Sequence, residues 1–150
     1  MSKTYKVKTY KLLRDLKKIL RAFNVKAEFS EKTDVSHATP HLESVKVGIC
    51  GLSTQQIIST VFHELAHIVV FREGKYLDYH DTSRDLTKKK AKALLKTGLK
   101  IERYVDKRAK ELMRQFYPDI QYFDNYKDPE VVAYYRRTYQ KRLKDFLKAS

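Results

Sequence analysis

Two histidines set four residues apart inside an otherwise apolar run constrain this chain more than any other feature. Ile57-Ile58-Ser59-Thr60-Val61-Phe62 leads into His63-Glu64-Leu65-Ala66-His67, and Ile68-Val69-Val70-Phe71 follows. Ser53 with Gln56 three residues on has the pattern of a capping box, and Gly74 supplies a C-terminal stop, so the spacing predicts one helix between them. A helix apolar almost all round is a buried one. Its polar side chains must then find partners inside the core.

On a helix, His63 and His67 project from one face, one turn apart, and can share a tetrahedral metal ion. Glu64 stands beside them, where a carboxylate can take a proton from water activated by the metal. The pattern therefore points to one zinc ion per chain, with Glu64 as general base. Two histidines do not complete such a site, which takes three protein ligands and an open fourth position. Glu102, 35 residues after His67 and next to Ile101 at the edge of a predicted buried stripe, is the first choice for the third ligand. Asp106 follows one turn later on the same face, where it can accept the second ring N–H of a ligating histidine. His80, 13 residues after His67, is the alternative third ligand, or else a donor to a developing oxyanion, a part open also to Tyr76 or Tyr79.

Elsewhere the periodicities alternate between helix and strand. Thr9 to Asn24 places Leu12, Leu16, Ile19, Leu20 and Phe23 on one face of an amphipathic helix. Val25 to Glu31 and Val45 to Ile49 alternate with period two and predict strands, the second leading through Gly51 into the histidine helix as an edge on which an extended substrate can align. Thr33 to Ser44 has no apolar period and is expected to be a loop whose histidines, His37 and His41, read first as surface side chains and second as residues lining a cleft. Lys75 to Ser83 is expected to form a loop near the cleft. Leu86 to Phe116 predicts a long helix, bent or restarted at Gly98, with Leu94, Gly98, Ile101, Val105, Ala109 and Leu112 inward. After a Tyr-rich connection, Asp128-Pro129 reads as an N-cap and first helical position for a last helix with Val132, Tyr135, Tyr139, Leu143 and Phe146 inward.

The 150 residues suit one domain, spanning 1–150. The lone Cys50 and an N-terminus without the apolar core of a secretory signal predict a cytoplasmic protein, and no stretch approaches the apolar length of a membrane helix. Net charge is +14, spread as +6, +4 and +4 over successive fifties, which argues against a basic tail. Lys88, Lys92, Lys96 and Lys100 recur every fourth residue, a stripe that reads first as a solvated helix face and second as a nucleic-acid contact.

At these residues the chain resembles the zincin metallopeptidases, in particular gluzincin-like ones, in which H-E-x-x-H is followed by a Glu with an Asp four residues on; here the later element is Glu102-Arg103-Tyr104-Val105-Asp106. It is similar in layout to small bacterial and phage metallopeptidases of the ImmA/IrrE kind. Its His63-to-His67 run with His80 also resembles SprT-like proteases, a likeness that implies DNA-associated proteolysis with His80 as ligand. The expectation is an α+β, zincin-like domain, mainly helical, with a small β-sheet packed over the H-E-x-x-H helix, acting on a protein or peptide substrate. The alternative is a basic nucleic-acid-binding or regulatory protein whose metal is structural.

Overall fold

The computed structural model describes residues 3–80 and 87–149. Helix α2 (Thr54–Arg72) lies at its centre, as its all-round apolarity requires, and Phe62, Leu65, Val61 and Ile68 are fully buried. Burial of each such side chain is worth ~1.5–3 kcal/mol, so no other placement of this segment competes. The capping box forms at its start: Gln56 N–H donates to Ser53 Oγ and Ser53 N–H to Gln56 Oε1. At its end Gly74, at φ 75°, turns the chain away.

Helix α1 (Lys3–Ala22) covers α2 with Leu16 and Leu20. Three strands follow. β1 (Lys26–Ser30), β2 (His37–Thr39) and β3 (Ser44–Gly48) form a sheet in the order β1-β3-β2. β1 runs parallel to β3, with Lys26 opposite Ser44 and Ser30 opposite Gly48, and β2 runs antiparallel, with His37 opposite Lys46. Val45 and Val47 turn their side chains into the core. Beyond α2 come a short helix α3 (Leu77–His80), the long helix α4 (Lys88–Phe116) and α5 (Pro129–Ala149). α4 packs against α2 more extensively than any other pair of elements does, through Ile101, Val105, Ala109 and Met113. The result is an α+β architecture, mostly helical, with one small sheet. Among the described residues no helix is long and apolar enough to cross a membrane.

Four local expectations need correction. The segment 45–49 predicted as an exposed edge is the central strand, bonded on both sides. The outer strand is β2, inside the stretch expected to be a loop; three residues are too few to show a period, and they become a strand only by pairing with β3. Its end is local, because Pro40 has no N–H to continue the ladder and opens a 3-10 turn. Residues Leu77–His80 form a helical turn rather than a loop, while Asp81, Thr82 and Ser83, and the predicted helix start at Leu86, lie outside the described residues. Finally, α4 runs unbroken through Gly98 from its Thr87 cap. In α5, Leu143 is buried and Val132 and Tyr135 partly so, whereas the side chains of Tyr139 and Phe146 lie outside the description.

Close approach explains one glycine. A Cβ on Gly48 would sit 2.6 Å from the carbonyl oxygens of Thr33 and Val35, so only glycine lets the 31–36 segment cross the end of β3. Gly48 N–H donates to Ser36 Oγ (2.9 Å) and Cys50 N–H to the Thr33 carbonyl (3.0 Å), which ties that crossing down. The crossing delivers β2 to its place.

Candidate metal centre

Helices α2 and α4 face each other, and their polar residues meet at one point. His63 Nε2 and His67 Nε2 are 3.1 Å apart; Glu102 Oε2 lies 3.1 Å from the first and 3.3 Å from the second. An ion bound at 2.0–2.2 Å by nitrogen and oxygen with tetrahedral angles holds its ligand atoms about 3.3 Å apart. His63, His67 and Glu102 are thus close enough to bind one metal ion.

Hydrogen bonds behind the triangle decide which atoms face it. His63 Nδ1 donates to Asp106 Oδ1 at 2.8 Å, one turn along α4 from Glu102. His80 Nδ1 donates to the Tyr76 carbonyl at 3.0 Å, so in the neutral ring Nε2 is an acceptor, and His67 Nδ1 donates to it at 2.8 Å. Burial, with the neighbouring His67, lowers His80 to about 4 and keeps it neutral. Both ligand rings are therefore set to turn an Nε2 lone pair toward Glu102. Oε2 of that carboxylate is buried and, among the described residues, meets no hydrogen-bonding group other than the two imidazole nitrogens, although its other oxygen accepts from the Tyr79 hydroxyl. With His63 in its neutral form, three electron-rich atoms face one another. One proton can satisfy only part of this triangle, whereas a cation satisfies all of it.

The electrostatics follow from the same contacts. Burial disfavours a charged His63 ring, but the Asp106 and Glu102 carboxylates outweigh it and raise its pKa well above the ordinary value. Burial works against ionised Glu102 too, and His67 and His63 overcome it, holding the carboxyl well below the usual range. Glu64 goes the other way: burial raises it, and the two histidines offset that only in part. Burial and the adjoining carboxylates push Tyr79 and Tyr122 far up, so both remain donors, Tyr79 to Glu102 and Tyr122 to Asp106. Rings box the ligands as well. Tyr126 stacks on His63 at 6.0 Å and Tyr79 on His67 at 6.3 Å.

A cleft of about 570 Å³ opens over the triangle. Glu64 and the ligands form its floor, residues 35–40 including β2 form one wall, and Tyr126, Tyr135 and Arg142 stand on the other. Of the candidate residues singled out from sequence, His63, Glu64, His67, Tyr79, His80 and Glu102 line this cleft, and Asp106 lies behind His63. His80 does not join the triangle. With both ring nitrogens engaged behind His67, it has none left for a metal or an oxyanion. Lys88, Lys92, Lys96 and Lys100 are exposed along α4.

No protein-family model, curated protein or solved structure matches this chain.

Sequence reasoning missed several residues here. His37, read first as a surface side chain and second as cleft lining, lines the cleft, because β2 does. Tyr122 supports Asp106, and Tyr126, Tyr135 and Arg142 build the far wall. The only signal for Tyr122 and Tyr126 was the density of tyrosines between residues 117 and 126, which carries no spacing rule, and Tyr135 was read as an inward position of the last helix without a link to the site. Arg142 had none.

Proposed function

We propose that this chain is a zinc-dependent metallopeptidase of zincin-like fold, with one zinc ion held by His63, His67 and Glu102. The observation that carries the reading is the convergence of these three donors at one point, with the buried Glu64 on the cleft floor beside them. Two imidazoles and one carboxylate suit zinc, and three ligands leave a fourth position toward the cleft. Zinc there would supply Lewis acidity, lowering the pKa of water and polarising a peptide carbonyl.

The chain's own residues do the rest. Glu64, its pKa raised by burial, takes the proton of the attacking water and delivers it to the leaving amine. Asp106 and His80 hold the two imidazoles in the tautomer that binds metal. The free edge of β2, along the cleft wall, pairs with the backbone of an extended peptide and lays the scissile bond across the floor. The lone, exposed Cys50 suits a reducing, cytoplasmic setting.

Glu64→Gln tests the reading. The variant is expected to keep one zinc per chain and to lose peptide hydrolysis by ~100-fold or more. Undiminished cleavage would remove Glu64 from the mechanism, and a wild-type chain that takes up no zinc would end the proposal.

A further inference from the structure

Beside the metal cleft, α4 and α5 enclose a second concavity of about 300 Å³. Lys96, Lys100 and Arg103 enter it from α4, and Arg136, Tyr135 and Gln140 from α5. No carboxylate lines it, and none of its four cations makes an ion pair among the described residues. Elsewhere Arg72 pairs with Glu43, Lys90 with Asp78 and Arg108 with Glu73 and Glu111; what marks this hollow is that four cations from two helices converge on it. Four like charges gathered in one hollow repel one another, and an anion relieves the repulsion.

The two hollows adjoin. Tyr135 lines both, and Arg142, two turns from Tyr135 along α5, reaches the cleft itself. A basic path therefore leaves the cleft wall along α5. The lysine stripe of α4 divides here: Lys96 and Lys100 enter the groove, whereas Lys88 and Lys92 lie outside it. Cations following a line would suit a phosphate backbone. Cations bunched in a hollow of this size, next to a cleft walled by an open strand edge, suit a few carboxylate side chains on an extended peptide.

We infer that this groove binds an acidic segment of the peptide substrate, a run of Asp or Glu lying to one side of the scissile bond, with Arg142 as the first cation it meets. The inference builds on the peptidase reading but is separable from it. Binding of acidic peptide requires no cleavage.

The test uses the Glu64→Gln protein, a fluorescent peptide carrying a run of Glu, its Gln counterpart and a single-stranded oligonucleotide, each titrated by anisotropy at low and high salt. The Glu peptide is expected to bind ~10-fold or more tighter than the Gln peptide at low salt, with the difference shrinking as salt rises. Adding Lys100→Glu and Arg136→Glu should abolish that preference, while Lys11→Glu on α1, a charge reversal outside the groove, should leave it standing. Equal binding of the Glu and Gln peptides overturns the inference. So does an oligonucleotide that binds more tightly than the Glu peptide and loses its affinity in the same groove variants, since the groove would then hold phosphates. Cleavage by the wild type of acidic and neutral peptides at the same rate would sink the inference and spare the peptidase; Glu-peptide binding by a chain that cleaves nothing would do the reverse.

Discussion

His67 Nδ1 lies 2.8 Å from His80 Nε2, and His80 in turn is fixed by the Tyr76 carbonyl. A backbone oxygen thereby sets, through two rings, the nitrogen that His67 turns toward Glu102. His80→Ala removes the acceptor and is expected to weaken zinc binding ~10–100-fold without abolishing it, and Asp106→Ala should do the same through His63. His63→Ala and Glu102→Gln should each lose the ion. Competition against a chromophoric chelator measures all four. Loss of zinc in His80→Ala as complete as in His63→Ala would make His80 a ligand.

Zinc binding should release a proton. His63 in the metal-free fold keeps its proton to a pH well above 6.5, since Asp106 and Glu102 outweigh its burial. The ion needs that lone pair, so below the raised pKa it must displace the proton. Affinity should climb about tenfold per pH unit from neutral pH up to that pKa and level off above it. Calorimetry in buffers of different ionisation enthalpy counts the protons; a binding enthalpy independent of buffer would contradict the assignment.

Gly48→Ala tests the delivery of β2. The added methyl would meet the carbonyls of Thr33 and Val35 at 2.6 Å, and backbone rather than a flexible side chain must yield. A loss of ~1–3 kcal/mol is expected, read from urea denaturation. Zinc content should stay at one per chain, because the ligands belong to α2 and α4. Unchanged stability would mean that the crossing segment gives way freely.

The capping box of α2 supports the histidine helix from its start. Ser53→Ala removes the oxygen that accepts from Gln56 N–H and should cost ~1 kcal/mol, seen as a lower melting temperature. The metal-loaded and metal-free proteins should lose similar amounts, since the cap lies more than two turns before His63.

Much of this molecule was legible before any folding was considered. The α2 boundaries, with the Ser53–Gln56 box and the Gly74 stop, are local chemistry, and so is the Asp128 cap, whose side chain accepts from Glu130 N–H. The four-residue spacings of His63 with His67 and of Glu102 with Asp106 put each pair on one helix face whatever the rest of the chain does.

Tertiary structure alone decided how those pairs meet. The packing of α4 on α2 brought Glu102 within 3.3 Å of both imidazoles and put Asp106 behind His63. It also moved His80 from rival ligand to supporting acceptor, a choice that depends on a ring orientation no spacing encodes. β2 became the free edge because β3 already had β1 on its other side, and strand order is a property of the sheet rather than of any strand in it. Periodicity describes one element at a time. Which donors share a point in space depends on how separate elements pack, and that is settled by the burial of Phe62, Leu65, Ile101 and Val105, residues that never touch the chemistry.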